Sequence, residues 1–488
     1  MFSMGSQFGP VRVNWGILLC LMLPWLNPWA PTPLPNTMPL LLSWAGIGLL
    51  LVFSPRLRAL DVARVWAAAA LISSVIGLIQ YYGLAAQFSP WLHAPPYPGE
   101  AMGNLRQRNQ LATLIGIGVV SVFYWQMHGL KYRHALWMLI LLALGNAATG
   151  SRTGLLHMFL IALLSTTWSW RQHRAPHYLG ERWPWRLAGV ALAVYLLATW
   201  ALPATLMQAS GQEVAGALGR MGNNEGCGSR RVLWSNVLHL IGQKPWTGWG
   251  WGELKYAHYM ADYPGERFCD ILGNAHNLPL HLAFSLGVPL TAAIGLALLC
   301  GLMWLRPWAS HQAHHQLAWS VLALIGLHSL LEFPLWYGPF QVAVLLSLGM
   351  LSSRQHDLRL HRTPATRYLG LLILVGVTWI SADYVRARQI YLKAPDRVVW
   401  WRNNPLDAAQ SSWFFSQSAS FAQLSLTPVT PQNATWVLQT SQDMLHYSPE
   451  PRVIRALIDS ARLLGQHRLA DEHQQRLQRA HPGALQQP

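Results

Sequence analysis

The sequence predicts an all-α protein that crosses a membrane many times. Of its 488 residues, 52% are hydrophobic and only 11% are charged, whereas charged residues make up about 25% of a typical soluble domain. Apolar runs of about 20 residues recur along the chain, and each is long enough to cross a hydrocarbon core roughly 30 Å thick. We therefore expect a polytopic bundle of membrane-spanning helices.

About eleven spans are predicted from the length and apolarity of these runs. The first is expected to be a retained anchor, because no small-residue cleavage site follows it and further spans come after. The spans are predicted to begin near Val13, Met38, Ala63, Asn109, His134, Arg152, Trp185, His276, Leu317, Tyr337 and Tyr368.

The distribution of Lys and Arg predicts the orientation of the spans. The formal charge of +16 is not gathered on one soluble face, as in nucleic-acid-binding proteins, but lies in short clusters between spans. These clusters are Arg56, Arg58 and Arg64; Lys131 and Arg133; Arg171, Arg174, Arg182 and Arg186; and Arg354, Arg359, Arg362 and Arg367. Because short cytoplasmic loops collect Lys and Arg, that side and the amino terminus are predicted to be cytoplasmic in a bacterial inner membrane.

Two domains are predicted. Residues 1–390 form the membrane domain, with a long periplasmic loop at 208–275, and residues 391–488 form a soluble periplasmic domain. Apolar residues at helical spacing on either side of Gly465 predict a helical hairpin that resembles a tetratricopeptide pair, although no repeat of fixed period establishes an array.

Two of the four cysteines fall in the long periplasmic loop. Paired thiols in an oxidising compartment usually form disulfides, so a Cys227–Cys269 bridge is our hypothesis, and two unpaired cysteines are the alternative. Cys20 and Cys300 lie in apolar spans and are expected to be buried thiols.

Several basic residues lie at positions that the positive-inside rule does not explain. Arg152 lies at the outer end of a span, which predicts an anionic partner. Arg230 and Arg231 precede a tryptophan-rich stretch and are expected near phosphates at the outer interface, with simple lipid anchoring as the alternative. His276 lies where the chain re-enters the membrane, a position at which a satisfied interfacial histidine is more common than a catalyst.

The common catalytic signatures are missing from the sequence. It has no Walker loop, no dinucleotide fingerprint, no G-x-S-x-G elbow, no H-E-x-x-H and no outward D-x-D pair. The sequence therefore predicts no metal site and no cofactor. Arginines are expected to neutralise any phosphate instead.

Taken in order, the motifs resemble the O-antigen ligase and polymerase superfamily, membrane enzymes that take a glycan from a polyprenyl diphosphate on the periplasmic face. The motifs are GNLRQRNQLA at 103–112, GSR at 150–152, Arg230 four residues before Trp234, PWTGWGWG at 245–252 and NAHN at 274–277. This resemblance covers most of the chain and implies a GT-C-like helical bundle.

Within that superfamily, the HSLLEFPLWY segment at 328–337 and the soluble tail are most similar to the protein O-oligosaccharyltransferases of the PglL type, including pilin glycosylases. Members often have a tyrosine where this chain has Phe333, and Tyr337 is a candidate to replace that hydroxyl. The implied reaction moves a glycan en bloc from undecaprenyl diphosphate to Ser or Thr of a periplasmic protein such as pilin. The alternatives are an O-antigen ligase acting on lipid A-core, an O-antigen polymerase and, less favoured, a lipid-linked glycan transporter.

The resemblance implies roles for individual residues. His276 is expected to be the general base of an inverting, metal-independent displacement, and Arg152 and Arg230 are expected to stabilise the leaving diphosphate. The candidates for substrate binding are Arg231, Gln107, Asn109, Gln110, Asn277, Glu332 and Tyr337. For Gln107, Asn109 and Gln110 the alternative is a helix start with solvated amides. Glu332 is expected either to orient a catalytic residue or to form a structural ion pair.

Overall fold

The computed structural model describes residues 15–53, 56–174, 182–211, 216, 219, 226–353, 357–359 and 363–482. The start predicted near Val13 lies outside these residues, as do Arg354 and Arg362 of one basic cluster. The regular structure within them is helical apart from one short ribbon, in which β1 (Arg56–Arg58) pairs antiparallel with β2 (Asp357–Arg359).

The first half of the chain forms the membrane core. Its helices are α1 (Trp15–Leu26), α2 (Thr37–Phe53), α3 (Ala59–Tyr81), α4 (Arg108–Met127), α5 (Tyr132–Ala148), α6 (Arg152–Arg174) and α7 (Trp185–Ser210). Helix α4 is the most enclosed of these, because α3, α5, α6 and the later α12 pack around it. The core therefore centres on α4, whose first residues carry several of the predicted site residues.

The second half contains the long connection and the remaining apolar helices. They are α8 (Arg230–Gln243), α9 (Leu254–Met260), α10 (Leu278–Leu286), α11 (Val288–Leu305), α12 (Ala313–Ser329), α13 (Gly338–Ser352) and α14 (Pro364–Arg388). Among the described helices, five are long and apolar enough to cross a membrane: Ala59–Tyr81, Arg108–Met127, Trp185–Ser210, Val288–Ala309 and Pro364–Tyr391. Eleven spans therefore remain a prediction, although a described helix lies at or near each predicted start from Met38 onward.

The span expected from His276 begins later than predicted, at Val288. The chain forms α10 first and then breaks at Gly287, whose φ of 84° favours glycine. The tryptophan-rich stretch at 245–252 packs against this break. Trp249 N donates a hydrogen bond to Phe284 O (2.8 Å), and Val288 N donates one to Pro245 O (2.8 Å). A β-carbon at Gly287 would collide with the Trp246 carbonyl, so the close approach of this stretch requires the glycine.

Five helices form the tail: α15 (Pro405–Gln410), α16 (Ser416–Leu426), α17 (Ala434–Tyr447), α18 (Pro451–Leu463) and α19 (His467–Ala480). Helices α18 and α19 pack together on either side of Gly465, where the hairpin was predicted. Tyr259 of α9 belongs to the same buried apolar cluster as the tail helices. The tail therefore shares an apolar core with the long connection. The domain boundary at residue 391 stays a prediction.

Helix α4 tolerates no added volume at Gly118. A β-carbon there would overlap the side chain of Ala70 on α3 and touch Leu142 on α5. We expect Gly118→Ala to destabilise the detergent-solubilised protein by about 1–3 kcal/mol, because overpacking forces neighbouring helices apart. Thermal unfolding followed by circular dichroism measures this loss.

The matched control is Gly376→Ala in α14, where a β-carbon meets open space. Equal melting temperatures for the two variants would show that α3 and α4 leave room for a methyl group at position 118.

Candidate active site

Glu332 lies at the centre of the candidate site, just after α12. Its Oε1 accepts a hydrogen bond from Arg230 Nη2 (2.6 Å) and another from Asn109 Nδ2 (3.2 Å), while Oε2 lies 2.6 Å from His276 Nδ1. The Glu332 side chain is only 12% exposed. One largely buried carboxylate therefore joins residues from three distant parts of the chain.

The hydrogen bond to Glu332 determines the tautomer of the His276 ring. Because the carboxylate accepts the hydrogen bond, Nδ1 carries the hydrogen and Nε2 presents its lone pair away from Glu332. The carboxylate also stabilises the imidazolium that forms if Nε2 takes up a proton. The arrangement thus suits a general base held in one tautomer.

The backbone around His276 holds the ring in place. His276 has a φ of 50°, a left-handed conformation that costs a non-glycine residue about 1–3 kcal/mol. Asn274 Oδ1 accepts from His276 N (2.9 Å), and the ring packs edge-on against Phe333 at 5.1 Å between centroids. Asn277 caps α10 by accepting from Leu280 N (3.0 Å) and donates to Leu330 O (3.0 Å).

The oxygen of the Asn277 amide therefore fixes the start of α10, and its nitrogen attaches the loop to the chain that leads into Glu332. These two hydrogen bonds give Asn277 a structural role. Its predicted contact with substrate stays a prediction.

Arg230 is the first residue of α8, and Ser229 caps that helix by accepting from Val232 N. Burial lowers the pKa of the Arg230 guanidinium, the Glu332 carboxylate raises it, and the positive charge of Arg152 lowers it again. Arginine remains protonated in proteins despite such shifts. The two arginines are thus close enough to repel each other, which favours an anion between them.

A cavity of about 1040 Å³ opens in front of this network. Its wall includes five arginines: Arg106, Arg108, Arg152, Arg230 and Arg231. The amino-terminal ends of α4, α6 and α8 all meet the cavity, so their helix dipoles add to its positive potential. The exposed apolar side chains of Leu156 and Leu238 also line it. The cavity therefore suits a polyanion attached to an apolar chain.

The residues predicted at the start of α4 have separate positions. Gln107 lines the cavity and caps α4 by accepting from Gln110 N (2.7 Å), which is the helix-start role given above as the alternative. Asn109 also lines the cavity and contacts Glu332, and it accepts from Ser151 Oγ (2.6 Å). Gln110 is buried and lies with Tyr337 along a neighbouring narrow cleft instead.

Sequence reasoning missed the cavity arginines Arg106 and Arg108, and it gave Ser151 no role. Arg108 begins α4 at the same end of the bundle as Arg152 begins α6, so both meet the same cavity. The positive-inside rule that singled out Arg152 applies to Arg106 and Arg108 equally, and it would have found them.

The predicted disulfide is present in the structure. Cys227 and Cys269 are bonded, with 5.3 Å between their Cα atoms. Cys227 is three residues before Arg230, and Cys269 is seven residues before His276. The bond therefore joins the two arms of the long connection close to the points where each delivers a site residue.

Three family models match this chain. O-Antigen ligase matches residues 137–295, Protein glycosylation ligase matches 101–125, and Virulence factor membrane-bound polymerase, C-terminal, matches 316–488. The predicted family resemblance is confirmed. The matched segments contain all the residues of the Glu332 network. Together with the apolar helices, they indicate a multi-pass membrane protein that is similar to this superfamily.

Two curated relatives come from Acinetobacter baylyi. A general O-oligosaccharyltransferase is 23% identical over 379 residues, which are 75% of this chain and 64% of the relative. A ComP-specific O-oligosaccharyltransferase is 24% identical over 371 residues, which are 71% of this chain and 63% of the relative. The matches thus span slightly less than two thirds of each relative. No solved structure matches this chain.

The five arginines of the cavity predict that it binds diphosphate. We expect Arg152→Gln to weaken binding at least tenfold, because a charged hydrogen bond contributes about 1.5–3 kcal/mol. The increase in melting temperature on titration with inorganic diphosphate measures the affinity.

Arg133→Gln is the matched control, since Arg133 is an exposed arginine outside the cavity. If both variants bind diphosphate as the unaltered protein does, the cavity is not the anion site.

Proposed function

We propose that this protein is a glycosyltransferase that moves a preassembled glycan from undecaprenyl diphosphate to Ser or Thr hydroxyls of periplasmic proteins such as pilin. The observation that carries the proposal is the Glu332 network, which sets a histidine base and an arginine beside an arginine-lined cavity. The names of the two relatives, both O-oligosaccharyltransferases, support protein as the acceptor.

The donor diphosphate binds among Arg152, Arg230 and Arg231, with Arg106 and Arg108 adding positive charge. Guanidinium groups form paired hydrogen bonds to phosphate oxygens and stay charged, so they stabilise the leaving group as its negative charge develops. The lipid chain leaves the cavity past Leu156 and Leu238 towards the membrane.

Transfer is a single displacement at the anomeric carbon. The acceptor oxygen forms a bond to this carbon, the bond to the diphosphate oxygen breaks, and its electron pair leaves with undecaprenyl diphosphate. His276 Nε2 takes the hydroxyl proton, and the Glu332 carboxylate stabilises the resulting imidazolium. Because the leaving group is a weak base, no general acid and no metal ion are needed, and attack from the opposite side inverts the anomeric configuration.

The proposal includes the orientation of the site. We place about eleven spans in the bacterial inner membrane, with the basic clusters in the cytoplasm and the Glu332 network at the periplasmic side. The tail, with its tetratricopeptide-like hairpin, lies on the same side as the site because it packs against α9.

A second candidate function is transfer of the glycan to lipid A-core, or polymerisation of lipid-linked repeats. The matches to the O-antigen ligase and membrane-bound polymerase models favour these acceptors. The donor chemistry is the same in each case, so the acceptor alone distinguishes them.

Reconstitution of the purified protein tests the reaction. With a polyprenyl diphosphate-linked glycan, a pilin acceptor and chelator present, we expect the unaltered protein to glycosylate the pilin and His276→Ala to lose at least 100-fold in rate, since general-base catalysis contributes about 10²–10⁴-fold. Gel mobility and mass spectrometry of the pilin measure the transfer.

His311→Ala is the control, because His311 lies before α12, away from the cavity. Undiminished transfer by His276→Ala would show that His276 is not the general base. Transfer to lipid A-core but not to pilin moves the assignment to an O-antigen ligase, and retention of the donor configuration contradicts the single displacement.

Glu332→Gln tests the bridging carboxylate. The amide keeps the shape but cannot stabilise an imidazolium or pair with Arg230, so we expect the rate of transfer to fall 10-fold or more with the protein still folded. Initial rates at saturating acceptor measure the loss. Glu266→Gln, an exposed carboxylate in the same connection, should transfer normally; equal rates for both variants would give Glu332 no part in the reaction.

A further inference from the structure

Helix α14 carries an acidic residue where an acid is costly. Asp383 lies five residues before the end of this apolar helix, and only 1% of its surface is exposed. A carboxylate at membrane depth is rare and needs partners, because hydrocarbon does not solvate its charge. The partners of Asp383 come from the tail.

The loop at 411–415, between α15 and α16, provides these partners. Ser412 Oγ donates to Asp383 Oδ2 (2.9 Å), and the backbone N–H groups of Trp413 (3.1 Å) and Phe414 (2.9 Å) donate to the same oxygen. Three donors from consecutive residues satisfy the carboxylate. The loop is thus fixed against the side of α14.

The depth of the loop follows from its aromatic contacts. Trp413 and Phe414 pack against Trp379, at 5.7 Å and 6.2 Å between ring centroids. Trp379 lies nine residues before Arg388, the last residue of α14, which is about 13 Å along a helix that rises about 1.5 Å per residue. The loop therefore reaches back below the end of the spanning helix.

The two aromatic side chains of the loop point away from the protein. Trp413 is 74% exposed, and Phe414 is exposed as well. They continue the exposed apolar face of α14 that includes Leu372, Val375 and Trp379. A surface continuous with the outer face of a membrane-spanning helix faces lipid, and tryptophan favours the level of the headgroups.

We propose that the loop at 411–415 is an interfacial membrane anchor. Trp413 and Phe414 insert among the lipids of the leaflet at the carboxyl end of α14, and Asp383 is the positioning residue that holds the loop at that depth. The partner is lipid rather than a second protein, because the exposed face of α14 that the two rings extend belongs to a span.

The anchor links the membrane to the candidate active site. Lys255 Nζ of α9 donates to Tyr447 O of the tail (2.8 Å), and Tyr259 Oη lies 2.8 Å from His473 Nδ1. Helix α9 in turn packs against α8, which begins with Arg230. The anchored tail thereby fixes the height of the long connection above the bilayer.

Depth-dependent fluorescence quenching tests the anchor without any transfer assay. The full chain carries Cys20→Ser and Cys300→Ser, so that a single Trp413→Cys takes an NBD label while the Cys227–Cys269 disulfide stays intact. In phosphatidylcholine–phosphatidylglycerol vesicles we expect doxyl lipids to quench this label at least threefold more strongly than a label at Arg468→Cys. Arg468 is an exposed residue of α19 in the tail. Iodide in the water should show the reverse order.

A label at Phe414→Cys should be quenched in the same way as the label at position 413. This agreement would show that the result does not depend on the loss of Trp413 alone. Asp383→Ala should move both labels towards the iodide-accessible state, with circular dichroism and the 468 label unchanged. Iodide quenching at 413 and 414 equal to that at 468 would overturn the anchor. Protection of both labels from iodide and from doxyl lipid would also overturn it, since that result indicates a protein contact.

Discussion

The candidate site depends on one carboxylate. Glu332 is mostly buried, and a buried charge is stable only when its hydrogen-bonding capacity is satisfied. Arg230, Asn109 and His276 satisfy it from three directions, and no two of these residues are near each other in sequence. Satisfying the charge of Glu332 therefore brings Asn109, Arg230 and His276 together beside the arginine-lined cavity.

The surrounding structure keeps these three partners in reach. Asn109 is held at the start of α4, the most enclosed helix of the bundle, so it is the fixed reference of the network. Arg230 and His276 come instead from the long connection, which has no comparable burial. The Cys227–Cys269 bond links the two arms of that connection, and the Asn277 amide joins it to the segment after α12. These links hold the start of α8 and the His276 loop close to Glu332.

The sequence predicts the helical bundle well, because apolar length is a local property. It also predicts residues that are unusual in their local setting, such as Arg152 at the end of an apolar helix and two cysteines in one loop. It does not predict which residues meet. Gln110 and Asn109 are neighbours in sequence, yet Gln110 is buried towards another cleft while Asn109 binds Glu332, and the helical turn alone separates them. Asp383 escaped notice because its partners lie about thirty residues further on, in a loop with no motif.

In the proposed orientation, the arginines of the cavity lie on the side of the membrane where the positive-inside rule disfavours them. The larger basic clusters at the other end of the bundle would then set the orientation of the spans. The positive charge of Arg152 contributes to the lowered pKa of Arg230, as is expected for two neighbouring cations. Glu332 neutralises only one of these charges in the network described above. Under the proposed function, a diphosphate bound among these arginines would reduce the repulsion between their charges, so this repulsion would contribute to binding of the donor.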